Sequence, residues 1–198
     1  MSRDQSDTRS RILAATARML ERKGGQGVRM GDIAREAGVS RQAVYLHFAS
    51  RTELLVAALR HVDESLGLER RLAPSRAATG GRERLCAFVA FWAGYVPDIH
   101  VFARAILLAR ASDADADAAW CDRMAALRDG CQAAVAALAG DGALRSHWTP
   151  ETATDALWAL LQVPMWEHLR FACGWSEAET AERWQTMAMD MLVAGQSR

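Results

Sequence analysis

Apolar residues along this chain recur at three- and four-residue intervals and almost nowhere alternate, so the pattern predicts helices throughout. Ile12, Ala15 and Met19, flanked by Leu13 and Leu20, mark a helix over 8–23, with Thr16 on the same face. The polar residues 1–8 are expected to precede it, and Gly24–Gly27 to end it. Ile33, Ala34 and Ala37 mark a short helix over 32–37, which Gly38 stops. Val39 is the apolar residue of the turn, and Ser40 is an N-cap for a second short helix over 41–48 that turns Val44 and Phe48 inward. Ser50 and Glu53 have the spacing of a capping box. They open a helix over 51–72 lined by Leu54, Leu55, Ala58, Leu59, Val62 and Leu66.

Beyond a loop expected at 73–81, the same periods continue. Leu85, Phe88, Val89, Trp92 and Val96 predict a helix that ends at Pro97, and a further helix runs from Pro97 to about Arg110. Trp120, Met124, Leu127, Cys131, Ala134 and Leu138 alternate steps of four and three, as a bundle seam does. Thr149-Pro150 opens a helix to Cys173 with Gly174 as its stop and a kink at Pro164. Ser176 with Glu179 opens a last helix to Leu192. The reading is nine helices and no strand, an all-α fold.

Composition adds bounds. With 198 residues and 51% hydrophobic content there is material for a substantial core. The start is polar with no apolar signal segment. Pro97, Arg104, Asp155 and Pro164 interrupt the apolar runs, so no membrane span is expected. Cys86, Cys121, Cys131 and Cys173 lie far apart and lack CxxC spacing; they are expected to be buried thiols in a reducing cytoplasm. The net charge is zero but unevenly spread: residues 1–50 hold nine basic and five acidic side chains, and the rest fifteen and nineteen. A basic front suits a phosphate-binding head.

The segment RMGDIAREAGVSRQAVYLHFASRTE (29–53) has helix, Gly-Val-Ser turn and helix at helix-turn-helix spacing. With Tyr45-Leu46-His47-Phe48, Ser50-Arg51 and Leu54-Leu55, residues 9 to 60 resemble the DNA-binding half of a TetR-family transcriptional regulator. The resemblance implies a three-helix head over 1–50. It also implies an effector-binding and dimerisation body over 51–198, with helix 51–72 as connector. A reading helix meets bases through its N-terminal residues: Arg41 suits guanine, Gln42 adenine, and the Ala43 methyl thymine. Tyr45, His47 and Arg51 match positions that touch phosphate in the family, and Thr8, Arg9, Arg29 and Ser40 can also approach the backbone. The chain departs from the family pattern at Gly25, where an aromatic is usual, and at Arg29, where a Ser or Thr cap is usual. Gly31 weakens the helix further, by about 1 kcal/mol relative to Ala.

No catalytic pattern appears. The five histidines lack metal-ligand spacing, no Ser sits in a nucleophile elbow, and no glycine run cradles a phosphate. Asp113, Asp115 and Asp117 begin like a calcium loop, but Ala118 and Met124 stand where Gly and Glu are needed; acids opening a helix explain them better. No cofactor or metal is expected, and no enzyme. Phe88, Trp92, Tyr95, Phe102, Trp120, Met124, Trp158 and Trp166 can fill a core or line a pocket, with His100, Arg104, Gln162 and His168 as polar anchors. The resemblance implies a homodimer through the last two long helices, with Leu157, Leu160, Leu161, Trp184, Met187, Met191 and Leu192 as interface candidates. Together these readings describe a cytoplasmic, ligand-responsive repressor, released from a palindromic operator by a small apolar or aromatic effector. The alternative is a helical small-molecule-binding protein with a vestigial helix-turn-helix.

Overall fold

Ten α-helices and one π-helical turn make the backbone 80% helical in the computed structural model, which describes residues 3–195 (Arg3 and Asp4 by backbone alone). They are α1 (Arg3–Arg22), α2 (Met30–Ala37), α3 (Arg41–His47), α4 (Arg51–Leu66), α5 (Leu68–Ala77), α6 (Gly81–Ala109), α7 (Ala114–Gly140), α8 (Pro150–Leu160), α9 (Val163–Glu167), the π-turn His168–Ala172 and α10 (Glu177–Leu192). Among the described residues the sole β-type pairing is the antiparallel bridge Leu144–Val193. The all-α expectation holds, with one helix more than the nine expected.

Contacts cluster into two compact units. One comprises the chain up to Leu66 together with Ile99–Asp122; the other comprises Gly67–Asp98 and the chain from Arg123. This grouping is not a single cut at residue 50: α4 clusters with the head, and α6 and α7 each contribute to both units.

In the first unit, Ile12, Leu13, Ala15, Met19 and Leu20 of α1 meet Ile33 and Ala34 of α2, Val44 and Phe48, and Leu54, Leu55, Ala58 and Leu59 of α4; all are buried. Thr16 is buried with them and donates to the Ile12 carbonyl at 2.8 Å, the back-bond that lets a hydroxyl live inside a helix core. Helix α1 starts at Arg3, so residues 3–7 are helical rather than a polar lead; Met1 and Ser2 lie outside the described residues.

Four other boundaries differ from the sequence reading, each for a local reason. Gly67, at φ +64°, ends the connector helix at Leu66, six residues short of the expected Leu72. Helix α5 then continues through Pro74 to Ala77, where a loop was expected. Its lost hydrogen bond is offset by anchors within the second unit: Arg71 pairs with Asp98 at 2.7 Å and donates to the Gly94 carbonyl, and Ser75 donates to the Arg84 carbonyl.

Pro97 is likewise internal: α6 runs unbroken for 29 residues, held by Val96 just before the proline and Ile99 two residues after it, both buried. By length and composition alone α6 could cross a membrane, but over half of its most apolar window is buried inside the protein. Last, Pro164 does more than kink. Helix α8 stops at Leu160, and α9 restarts with Pro164 in its first turn, where its missing N–H costs nothing. The Leu161 carbonyl freed by this break accepts from the buried Trp92 indole Nε1 at 2.7 Å.

Helix caps follow the sequence closely. Thr149 and Thr152 form a reciprocal capping box at α8, and Ser176 caps α10. Asp113 caps α7 by accepting from the Asp115 and Ala116 amides, so the acidic run opens a helix. The cysteines depart from expectation: all four are free, but only Cys131 is buried, its thiol pushed up to about 12 by burial, while Cys121 and Cys173 are exposed.

Candidate nucleic-acid interface

Helices α2 and α3 are joined by three residues whose geometry follows from their chemistry. Gly38 adopts φ +65°, ψ 37°, and the amides of Gly38 and Val39 turn back to the Arg35 and Ala34 carbonyls. A long arginine completes this C-cap: Arg11 of α1 donates to the Ala37 and Gly38 carbonyls at 2.8 and 3.2 Å. Ser40 Oγ accepts from the Ala43 amide at 3.1 Å and starts α3. Helix α3 is pinned by Val44 and Phe48, which are 0% and 1% exposed.

The two helices begin differently. Helix α2 has Arg29 at its N-cap and no side-chain cap, as the sequence indicated. Its remaining supports are packing of Met30, Ile33, Ala34 and Ala37 and the pair of Glu36 with Arg22 at 2.7 Å, with Arg18 close by. That pairing holds the Glu36 carboxyl below its usual range, first through the Arg22 hydrogen bond.

The residues expected at DNA fall into two groups. Arg41, Gln42 and Tyr45 are exposed, and Ala43 and His47 half-exposed, on α3. Arg41 does not stand straight out: its guanidinium lies 5.5 Å from the centre of the Tyr45 ring and donates to the Tyr45 hydroxyl at 3.4 Å. Arg41 and Tyr45 thereby join Arg29, Arg35 and Arg51 around a groove of about 550 Å³ that also borders Gly31 and Asp32. Four guanidinium groups against one carboxylate make this an anion-attracting surface.

Arg51 is partly committed, since its Nε donates to the Val28 carbonyl at 2.9 Å and ties α4 to the turn before α2. Arg9 lies over the Phe48 ring at 5.2 Å and Thr8 is half-buried beside it in sequence, so both frame the head from α1. Ser40 is exposed, but its hydroxyl is engaged in capping.

Two features were missed from sequence. Leu46 is 80% exposed on α3; a helical wheel would have found it, because two residues on from Val44 and two back from Phe48 is the side opposite both. Gly25, read only as a departure, is a packing requirement. It sits at φ +79°, and a Cβ there would lie 2.5 Å from the Val101 carbonyl oxygen of α6. The usual aromatic has no room there.

The start of α4 is fixed twice more within this unit. The Ser50 hydroxyl accepts from the Glu53 amide, while the Glu53 carboxylate reaches back to the Ala49 amide rather than to Ser50. Thr52, 2% exposed, donates to Asp113 at 2.5 Å, and this bond is the first cause that holds the Asp113 carboxyl below its usual range.

The twelve residues expected to line an effector pocket do not share one unit: His100, Phe102, Arg104 and Trp120 belong to the first, the other eight to the second. In the first unit, His100, Phe102 and Trp120 are buried. In the second, Phe88 packs against Gly130, Tyr95 accepts from Arg123 and stacks on Phe91, and the Trp158 indole donates to the Met124 carbonyl. Gln162 Nε2 donates to the Trp158 carbonyl, Trp166 is buried, and His168 is exposed on the π-turn. Of the interface candidates, Leu157, Leu161, Trp184 and Leu192 are wholly buried in the chain's own core and have no surface left for a partner. Leu160, Met187 and Met191 keep exposed surface. Among the described residues no group of three or more His, Cys, Asp or Glu is placed to hold a metal.

An all-α chain whose second short helix is capped by Ser40, pinned by Val44 and Phe48 and set beside a cluster of arginines has the helix-turn-helix arrangement. Residues 12–58 match the family model of bacterial regulatory proteins, tetR family. It is 36% identical over 66 residues to the nucleoid occlusion factor SlmA of Marinomonas sp., covering 33% of this chain and 34% of that protein. It is 37% identical over 87 residues to the HTH-type transcriptional activator FasR of Mycolicibacterium smegmatis, covering 43% and 38%. These matches span just over a third of the length of either relative. The fold over the whole chain is similar to that of a putative transcriptional regulator from Saccharomonospora viridis in complex with choline, with a TM-score of 0.80, 22% identity and coverage of 96% of this chain and 100% of the other.

Proposed function

We propose that the chain is a ligand-responsive repressor that binds a palindromic operator as a homodimer and leaves it when a small apolar or aromatic effector binds. Residues 1–50 form the DNA-binding domain and 51–198 the effector-binding and dimerisation domain, joined by α4. The observation that carries the reading is the outward side of α3, whose one side-chain hydrogen bond among the described residues is the Arg41–Tyr45 pair and which stands beside the groove of Arg29, Arg35 and Arg51. Arg41, Gln42 and Ala43 meet base edges; Thr8, Arg9, Arg29, Ser40, Tyr45, His47 and Arg51 meet phosphates. In a twofold dimer the two reading helices stand about 34 Å apart.

The exposed apolar residues Met165, Phe171 and Met187, together with Leu160 and Met191, supply the dimer face. The choline complex of the Saccharomonospora viridis protein supports a small-molecule site in this fold. An effector acts only through its different affinities for the DNA-bound and released states. The chain works as a regulator rather than an enzyme, in the cytoplasm, where its DNA is.

The test is selection of duplexes from a random-sequence pool, followed by titration of the winner. Affinity should fall linearly on a log–log plot as salt rises. The double change Arg41→Ala with Tyr45→Ala should weaken binding by at least about tenfold. Binding indifferent to salt, or unaffected by the double change, refutes the assignment of α3.

A further inference from the structure

We propose that Leu46 is a base-reading side chain that contacts the methyl group of one thymine in each operator half-site. The proposal rests on the DNA-reading assignment of α3 and deepens it. Each helical residue turns the chain by about 100°, so Leu46 stands about 200° from Val44 on one side and from Phe48 on the other. Those two residues form the buried seam of α3, at 0% and 1% exposure, and Leu46, at 80%, marks the line facing directly away from the head. Gln42 lies one turn earlier on nearly the same line. Arg41, by contrast, is drawn to the flank by Tyr45, into the groove with Arg29, Arg35 and Arg51. The outermost ridge of the helix is therefore Gln42 and Leu46, one polar and one apolar.

A single exposed leucine on a protein surface is ordinary; one at the crest of a reading helix meets the floor of the major groove. Leucine can make no hydrogen bond there, and the one apolar group that the groove offers is the thymine C5-methyl. Four residues of helix rise by roughly 6 Å, close to two base steps at about 3.4 Å each. The thymine met by Leu46 lies about two pairs from the base met by Gln42.

The test uses duplexes selected by the wild-type chain from a random-sequence pool, with each thymine replaced in turn by deoxyuridine, which removes one methyl. At one thymine per half-site the wild type should bind about fourfold more weakly, the worth of one buried methyl-sized group. At that thymine Leu46→Ala should bind the two duplexes alike, with an unchanged Tm and salt slope. Leu46→Gln should move the preferred base there from thymine towards adenine. The proposal is overturned if the wild type ignores every methyl, or if Leu46→Ala keeps the wild-type sensitivity at each position. It is equally overturned if folded Leu46→Ala loses operator binding altogether, a loss too large for one methyl contact. A wild-type chain that selects no duplex fails the operator reading itself, which is distinct from one that binds its operator and ignores the methyls.

Discussion

The head and the second compact unit share short-range helix caps and differ in where their remaining polar groups go. In the head Ser40, Gly38 and Ser50 act within four residues of themselves, Arg11 adds its cap from 26 and 27 residues away, and the outward side of α3 is left largely without internal partners among the described residues. In the second unit the polar ends of aromatics are committed far along the chain, Trp92 to the Leu161 carbonyl and Trp158 to that of Met124. An aromatic whose N–H already holds a carbonyl is part of the scaffold, and only its ring face remains to meet a ligand. The difference teaches that a bare polar side chain points to function more directly than a buried ring does.

The comparison is strained most severely at Gly25, where the head leaves no room for a side chain beside Val101. Gly25→Ala forces a side chain into left-handed backbone against the Val101 carbonyl, and should cost roughly 2–5 kcal/mol in denaturant unfolding. In the second unit, Trp92→Phe orphans the Leu161 carbonyl and leaves a gap; a loss of about 2–3 kcal/mol is expected by the same measurement. A loss under half that would mean the indole bond is dispensable.

Ser40→Ala should cost about 1 kcal/mol, while Arg29→Ser, which gives α2 the cap it lacks, should return a similar amount. Comparing the two melting curves asks whether α2 and α3 are stabilised independently. The smallest effect is on pH dependence. The Thr52 hydrogen bond depresses the Asp113 pKa in the folded chain, so its contribution is complete above the unfolded value of about 3.9 and is lost as pH falls through the lower folded one. Asp113→Asn should flatten that acid limb of the stability profile, and an unchanged limb would show that the bond is not made in solution.

Much of the head was legible because its signals are short-range. Ser40, Gly38, Val44 and Phe48 each declare their role within one turn of helix, and the missing cap at Arg29 was visible as an absence. Arg11 was not, because the carbonyls it caps lie 26 and 27 residues away. Prolines misled in the body for a related reason. Pro74 and Pro97 read as boundaries by local rules, but anchors such as Arg71–Asp98 and burial on both sides of Pro97 outweigh one lost hydrogen bond. The interface candidates failed by half because periodicity reports an apolar stripe without saying what covers it. Trp184 and Leu157 turn into the core of their own chain, and Met187 does not.

The close approach at Gly25 also bears on modularity. Regulators with new pairings of operator and effector can be built by joining the head of one relative to the body of another. Here any Cβ at position 25 would lie 2.5 Å from the Val101 carbonyl oxygen of α6, at a φ that only glycine tolerates with ease. A donor head with the usual aromatic at this position would collide with α6 before its reading helix was tested. Heads exchanged into this chain must bring a glycine at position 25, or bring their own α6 with them.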